Sequence, residues 1–333
     1  MVNTVLRVVG RGFQLKTAVL LLVWVWLAVT FHAHGALALA LHAALLALGA
    51  GFGWAAWQRR WGLLWAGMAG LSAVAALWWV MQVPRDDRTW AMDVRHGVTG
   101  EVEGSRVTLR NVRNFRWQDP ETAVESWETR VVDADRIVSL DMFTSVWDSP
   151  LIAHVLVSFG FEDGQKIVFS GEIRREETEV FSALGGFFRR YELVMIAADE
   201  RDIVHLRTDA RGEQVSLFPV TLEPEARKQL FMNFVNRANA LAAEPEWYHT
   251  LLANCTTVPF RLVKGIAPGL GLDWRVLASG YLPSYLHELG VLHPDRPLPE
   301  VLQRAILPKS GLDAPSGPAY SDLLRQGWVR DAP

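Results

Sequence analysis

The chain begins with long apolar runs that are separated by short polar breaks. Residues 17–57 contain no Asp, Glu, Lys or Arg, and a turn that ends at Gly35 divides this stretch. A second uncharged run extends from Trp61 to Pro84. Because about 20 apolar residues cross a bilayer as a helix, the pattern predicts three transmembrane helices at about 15–33, 36–57 and 61–83.

After Pro84 the pattern changes to short alternating runs that are typical of strands. The clearest pair, residues 153–161 and 166–174, flanks an Asp163-Gly164 turn. Other strands are predicted at 101–109 (a hairpin around Gly104), 136–143 and 191–198, and a helix at 223–243. Residues 290–333 are rich in Pro and Gly, and we expect them to be irregular.

Charge divides the chain at the same place. Residues 1–85 carry six basic side chains and no acidic one, whereas the remainder carries 27 basic and 36 acidic side chains. We therefore predict a membrane domain at 1–84 and a separate domain at 85–333. The net charge of −3 gives no basic field for nucleic acid, so no nucleic-acid partner is expected.

The basic side chains of the apolar part predict its orientation. They precede the first run and separate the second from the third (Arg7, Arg11, Lys16; Arg59, Arg60). With three spans, both groups lie on one side of the membrane, which is the cytoplasmic side by the positive-inside rule. We predict a cytoplasmic N-terminus and a domain outside the membrane after residue 84.

The chain contains one cysteine, Cys255, which excludes an internal disulfide and a zinc site with two thiolates from this chain. Asn254 before it and Thr256 and Thr257 after it are good helix N-cap residues. A thiol at a helix N-terminus has a lowered pKa and a larger thiolate fraction. The alternative is a buried, inert cysteine.

His154 is the best candidate to activate this thiol. If Gly164 takes the left-handed position of a three-residue loop, His154 faces Glu172 on the next strand. A loop of two or four residues reverses the parity and places Ile173 opposite His154 instead. The first register gives a histidine that a carboxylate orients, which is how many nucleophiles are activated. The alternative is a core histidine bonded to the backbone.

These residues belong to ordered motifs that resemble a known family. A histidine strand that precedes Asn-Cys at a helix start is similar to the circularly permuted branch of the papain-like NlpC/P60 superfamily. More specifically, the outer domain resembles the Lnb N-terminal periplasmic domain family. The motifs that carry this resemblance are 111–115, 153–154 with 158–161, 172–176, 190–193 with 198–202, and 254–257.

Together with the three transmembrane helices that the apolar runs predict, the resemblance implies an α+β fold class in which these N-terminal helices are followed by a circularly permuted papain-like (NlpC/P60-type) domain. It also implies a bacterial inner-membrane protein with a periplasmic thiol acyltransferase domain. Such an enzyme moves a fatty acyl chain from a phospholipid, through a thioester on Cys255, to the N-terminal amine of a diacylglyceryl lipoprotein. The catalytic residues would be Cys255, His154 and Glu172, with neither cofactor nor metal expected. The expected substrate-binding residues are Asn254, Tyr248, Arg174 and Ser158.

Two alternatives belong to other functional classes. The same thiol and imidazole are suited to a cysteine peptidase or amidase that acts on peptidoglycan peptides. The domain is alternatively a binding module that has kept the fold without the chemistry.

Overall fold

The computed structural model describes residues 2–309, 311 and 317–329. Within them the chain forms two compact units. The first contains the N-terminal residues up to Pro84 together with Ser182–Arg190, and the second begins at Arg85 and contains the rest. Below, the first is called the helical unit and the second the sheet unit.

The helical unit contains α1 (Val2–His32), α2 (Gly35–Trp57) and α3 (Trp61–Met81). Each includes a stretch of at least 21 residues that is long and apolar enough to cross a membrane. The prediction of three N-terminal helices of membrane-span length is therefore confirmed. Gly35 has a φ of 59°, which side chains disfavour, so the chain reverses direction there.

Ser182–Arg190 packs on these helices, although its sequence position lies within the predicted outer domain. The ring of Phe188 lies 5.7 Å from that of Trp24 and 5.4 Å from that of Phe31, centroid to centroid. His32 Nε2 donates to the backbone oxygen of Phe188 at 2.6 Å. Aromatic packing and one polar contact thus join this segment to the end of α1.

The sheet unit begins at Arg85. Its strands are β1 (Thr99–Glu103), β2 (Arg106–Arg113), β3 (Arg116–Trp117), β4 (Ala123–Val124), β5 (Trp127–Asp133), β6 (Ile137–Val146), β7 (His154–Phe161), β8 (Lys166–Arg174), β9 (Glu192–Asp199), β10 (Gln214–Pro219) and β11 (Glu246–Trp247). Its helices are α4 (Glu200–His205), α5 (Pro224–Ala243), α6 (Thr257–Ile266), α7 (Leu282–Glu288), α8 (Leu298–Ala305) and α9 (Pro318–Val329).

The main sheet has the order β1-β2-β9-β8-β7-β6-β10, with β5 paired to β2 and β11 paired to β9. All of these pairs are antiparallel except β2 with β9. On one face α5 covers the sheet with Phe231 and Phe234, and α4 and α9 cover the other face. The strands β7 and β8 lie in the middle of the sheet, so side chains on both of their faces are buried.

The turn between β7 and β8 takes the first of the two predicted registers. Gly164 has a φ of 87°, and the N–H of Phe161 donates to the oxygen of Gln165 at 3.0 Å. The residues that pair across β7 and β8 are Gly160 with Lys166, Phe159 with Ile167, Ser158 with Val168, and Val157 with Phe169. Extended to the start of β7, this register places position 154 opposite position 172, and His154 Nε2 lies 3.0 Å from Glu172 Oε1. Of the two alternatives, the structure therefore has the first.

Two helices correct the expectation of an irregular segment at 290–333, as far as the structure describes it; residues 310, 312–316 and 330–333 lie outside the described residues. α8 begins at Leu298 with a proline at its second position, where the missing N–H costs nothing. α9 is bound to the sheet unit through Arg325, whose Nη2 donates to Asp141 Oδ2 and to Glu200 Oε1, each at 2.6 Å. Both acidic side chains are buried. The prolines of α8 and α9 thus stand where these helices begin.

Candidate active site

Cys255 lies in the loop that leads into α6, and this loop crosses β8 at Gly171. A Cβ at Gly171 would lie 3.8 Å from Cys255 Cα, so the loop rests directly on the strand. The cysteine is free and only partly buried. Its thiol is therefore held against the central strands and still has an accessible side.

The side chain of Asn254 fixes the start of α6. Its Oδ1 accepts from the N–H groups of Thr256 and Thr257 at 2.9 and 2.8 Å. Its Nδ2 donates to the backbone oxygen of Thr250 at 2.6 Å. Both polar atoms of this side chain are therefore engaged locally, in place of the substrate contact expected from the sequence. Asn254 positions the cysteine by capping the helix that follows it.

Cys255 and His154 form an interacting pair. Burial raises the pKa of the thiol, but the charge of His154, a hydrogen bond to that side chain and one from the N–H of Val155 bring the pKa below its usual value. Burial and the charge of Arg207 lower the pKa of His154, but Glu172 and Cys255 raise it to about 9. These opposite shifts favour a thiolate beside an imidazolium at neutral pH.

Two side chains of β8 hold the imidazole. His154 Nε2 lies 2.7 Å from Ser170 Oγ and 3.0 Å from Glu172 Oε1. Ser170 Oγ also donates to Glu172 Oε1 at 2.7 Å. Burial raises the pKa of Glu172, but the charges of His154 and Arg207 and the hydrogen bonds from His154 and Ser170 lower it well below its usual range. The carboxylate is therefore ionised and orients the histidine.

Arg207 completes this charge network, and sequence reasoning missed it. It lies in a π-helical turn, Leu206–Ala210, and is almost fully buried. Its Nη2 donates to Glu172 Oε1 at 3.1 Å, and its Nη1 donates to Glu213 Oε2 at 3.3 Å. Ser145, which is paired with His154 across β6 and β7, donates to Glu213. The sequence carries no motif around Arg207 that marks this role.

Tyr248 belongs to the same site. Burial and the negative charges of Cys255 and Glu172 raise the pKa of its phenol far above the usual value. The hydroxyl therefore stays protonated and available as a donor. The structure thus brings together four residues singled out in the sequence: Tyr248, His154, Glu172 and Cys255.

The other two expected substrate-binding residues lie elsewhere in the sheet unit. Ser158 is fully buried and donates to Glu200 Oε1 at 2.7 Å. Arg174 Nη2 donates to the backbone oxygen of Arg95 at 2.7 Å, and its guanidinium lies 4.6 Å from the ring centroid of Trp90. Ser158 supports the core, and Arg174 fixes the segment before β1. Strand alternation places both residues on the face of His154, as predicted. Their contacts, however, are with other parts of the sheet unit and not with the site.

The fold and the site together define a class of protein. It has N-terminal helices of membrane-span length and a sheet-rich α+β domain that holds an interacting thiol, imidazole and carboxylate. Among the described residues no three His, Cys, Asp or Glu side chains are grouped to hold a metal ion. The arrangement is suited to chemistry in which the thiolate attacks a carbonyl carbon.

Residues 123–280 match the model of the family described as the Lnb N-terminal periplasmic domain. This segment includes His154, Glu172, Arg207, Tyr248 and Cys255. This segment therefore belongs to that family, which confirms the resemblance to the Lnb N-terminal periplasmic domain family. With its apolar helices, the chain is a membrane-anchored envelope protein with a periplasmic domain. No curated protein and no solved structure matches the chain significantly.

Proposed function

We propose that this protein is a thiol acyltransferase that N-acylates lipoproteins. The donor is a membrane phospholipid, and the acceptor is the N-terminal amine of a diacylglyceryl lipoprotein. One observation carries the proposal: within a domain of the Lnb family, Cys255 is paired with a histidine that a carboxylate and an arginine hold. Both substrates are lipids, which suits an enzyme with apolar helices of membrane-span length.

The first half-reaction transfers the acyl group to the enzyme. The Cys255 thiolate attacks the ester carbonyl carbon of the phospholipid and forms a carbon–sulfur bond. When the carbon–oxygen bond of the ester breaks, the leaving alkoxide takes the proton of the His154 imidazolium. The products are an acyl thioester on Cys255, a lysophospholipid and a neutral imidazole.

The second half-reaction transfers the acyl group to the lipoprotein. Because Nε2 faces Ser170 and Glu172, the other ring nitrogen of His154, Nδ1, accepts a proton from the lipoprotein amine, which attacks the thioester carbonyl. The carbon–nitrogen bond forms, the carbon–sulfur bond breaks, and the thiolate is restored beside the imidazolium. Glu172 keeps the ring oriented in both halves and stabilises its charged form.

The oxyanion of both steps needs hydrogen-bond donors near the thiol. The N–H groups of Thr256 and Thr257 are used by Asn254. The hydroxyl of Tyr248, whose pKa burial and the charges of Cys255 and Glu172 raise, stays protonated, and the backbone N–H of Cys255 has no acceptor among the described residues. We assign the oxyanion to these two donors.

The proposal includes a location and a fold relationship. The N-terminus faces the cytoplasm of a bacterial inner membrane, as the basic residues of α1 and of the α2–α3 turn favour. The sheet unit then faces the periplasm. Because the histidine strand β7 precedes the cysteine helix α6, we also assign the domain to the permuted papain-like superfamily.

Mass spectrometry of lipoprotein N-termini and of peptidoglycan peptides tests the function. Cells with the native protein, with Cys255→Ala and with the control Glu162→Gln are compared, since Glu162 lies in the exposed turn between β7 and β8. We expect N-acylated lipoproteins with the native and Glu162→Gln proteins and none with Cys255→Ala. A change in wall peptides alone identifies an amidase and overturns the proposal. No change in either identifies a binding module and also overturns it.

A further inference from the structure

The helical unit contains an apolar groove between its three helices. The groove has a volume of about 440 Å³. Two of its lining residues, Leu37 and Val74, are 61% and 66% exposed, so it opens at the surface of the unit. Other lining residues come from all three helices, among them Trp24, Ala28, Leu41, Leu45, Ala75 and Trp78.

The groove occupies one end of the unit. Its lining residues lie in the last third of α1 (24–32), the first half of α2 (37–48) and the last half of α3 (71–78). These are the parts of the helices nearest to Pro84, where the chain leaves the helical unit. The groove therefore lies in the membrane leaflet from which the chain enters the sheet unit.

The polar groups at this end suit an anionic headgroup. Arg189 donates to the backbone oxygen of Trp79 at 2.7 Å, and its guanidinium lies 4.4 Å from the ring centroid of that residue. The guanidinium of Arg190 lies 5.6 Å from the ring centroid of Phe31. Trp79 directly follows the lining residue Trp78 in the sequence, and Phe31 directly precedes the lining residue His32. Arginine is the side chain best suited to a phosphate.

The volume of the groove suits one chain. If a methylene group takes up roughly the 30 Å³ that a water molecule has in the liquid, 440 Å³ accommodates about 15 carbons. That corresponds to one fatty acyl chain, so a phospholipid would place one of its two chains in the groove. An empty apolar groove in a bilayer forfeits the dispersion contacts of its lining, so a lipid chain fills it.

We propose that this groove binds an acyl chain of the phospholipid donor, with the lipid phosphate near Arg189 and Arg190. The proposal rests on the proposed acyl transfer and adds the site that holds its donor. The groove selects a phospholipid of the leaflet from which the chain enters the sheet unit and holds it by one chain.

Photocrosslinking of the full chain tests this site. The protein is reconstituted in vesicles of phosphatidylethanolamine and phosphatidylglycerol that contain phosphatidylethanolamine with a diazirine on one acyl chain. After irradiation, peptide mass spectrometry locates the adducts. We expect adducts at the lining residues Ala28, Leu41 and Val74 in excess over Leu39 and Leu77, which are 73% and 64% exposed but do not line the groove. An equal distribution identifies surrounding bulk lipid and overturns the proposal.

A matched pair of variants adds a second readout. Ala75 lines the groove, whereas its neighbour Ala76 is exposed and does not. With Ala75→Phe we expect crosslinking at the groove to fall about tenfold, which corresponds to about 1.4 kcal/mol, and the KM for phospholipid to rise with kcat retained. Ala76→Phe leaves both unchanged. Equal effects of the two variants overturn the proposal.

The same samples separate failure of the groove from failure of the acyl transfer. If N-acylation proceeds and adducts show no preference for the groove, the site is wrong and the enzymatic function stands. If adducts prefer the groove but the native protein transfers no acyl chain, the donor role falls together with the proposed function. If a diacylglyceryl lipopeptide competes for the adducts and added phospholipid does not, the occupant is the acceptor and the proposal is overturned.

Discussion

His154 and Glu172 stand opposite each other on adjacent antiparallel strands, with Nε2 3.0 Å from Oε1. Glu172 and the Cys255 thiolate raise the pKa of His154 to about 9 against the effects of burial and Arg207. The imidazole is therefore charged at neutral pH and stabilises the thiolate. The carboxylate acts on the nucleophile through the histidine.

Replacing this carboxylate should make the thiol less reactive. In Glu172→Gln the neutral amide no longer stabilises the imidazolium, so the pKa of His154 falls and that of Cys255 rises. The charge of Glu172 itself opposes the thiolate, but less than the charge of His154 favours it. Because one pKa unit changes the thiolate fraction about tenfold, we expect alkylation of Cys255 by iodoacetamide at pH 6–7 to slow about tenfold.

The control for this prediction is Glu162→Gln, in the exposed turn between β7 and β8. It should leave the pH profile of alkylation unchanged. A native profile in Glu172→Gln would show that this carboxylate does not set the charge of the histidine.

Arg207 should be important for folding as well as for the site. It is the partner of two carboxylates, Glu172 and Glu213, and is itself almost fully buried. Removing one partner of a buried ion pair costs about 3–5 kcal/mol. We expect Arg207→Met to lower the thermal unfolding midpoint of the full chain in detergent, and Arg207→Met with Glu213→Gln to recover part of the loss.

The exposed pair of Arg110 and Glu101 provides the comparison, with side chains 54% and 65% exposed. Arg110→Met should cost less than about 1 kcal/mol. Equal midpoints for Arg207→Met and Arg110→Met would contradict the role assigned to Arg207.

Asn254 should act through its cap and not through substrate. In Asn254→Ala the N–H groups of Thr256 and Thr257 lose their acceptor, at a cost of about 1 kcal/mol. Asn254→Asp keeps an acceptor but puts a negative charge beside Cys255, which raises the pKa of the thiol. We expect Asn254→Ala to lower the thermal unfolding midpoint. We expect Asn254→Asp to move the pH profile of Cys255 alkylation to higher pH.

A rise in the KM for phospholipid with unchanged unfolding in Asn254→Ala would instead indicate direct substrate contact. That outcome would restore the role expected from the sequence.

Glu192 should make stability depend on pH. Its side chain is buried, and its Oε2 has no hydrogen-bond partner among the described residues. Burial raises its pKa to about 7, in spite of the charge of Arg88 and the N–H of Arg85. Between the ordinary value of 4.5 and about 7 the unfolded chain ionises while the folded chain stays protonated, so stability falls as the pH rises through this window.

Glu192→Gln removes this titration. The thermal midpoint of the native chain should fall more between pH 5 and pH 8 than that of the variant. The exposed Glu103→Gln serves as the control and should follow the native chain. If Glu192→Gln has the native pH dependence, Glu192 does not cause it.

The features that follow from local patterns could be predicted from the sequence. Apolar runs define the three helices, and Gly164 fixes the register that pairs position 154 with position 172. The sequence marks Asn254 as a good cap residue and also suggests a substrate contact for it. Its two polar atoms cannot do both, and the folded loop engages them with Thr250, Thr256 and Thr257.

Other features depend on long-range packing and leave no local signal. Arg207 reaches Glu172 from 35 positions away, and its turn has no motif that marks it. Arg325 binds Asp141 and Glu200, which lie 184 and 125 positions earlier in the sequence. Because these partners are distant, the local sequence predicts an irregular segment where the structure has a helix. Ser158 and Arg174 share the predicted strand face, but alternation alone does not distinguish a substrate contact from a core hydrogen bond.

The segment Ser182–Arg190 has a consequence for how this protein can be divided in the laboratory. A fragment that starts at Arg85 retains this segment but lacks the helices on which Phe188 packs. Its aromatic side chains would then be exposed to water in the loop that follows β8, the strand on which the Cys255 loop rests. Removing the helices therefore exposes an apolar surface that favours aggregation. In a soluble fragment, residues 182–190 should also be replaced by a short polar linker.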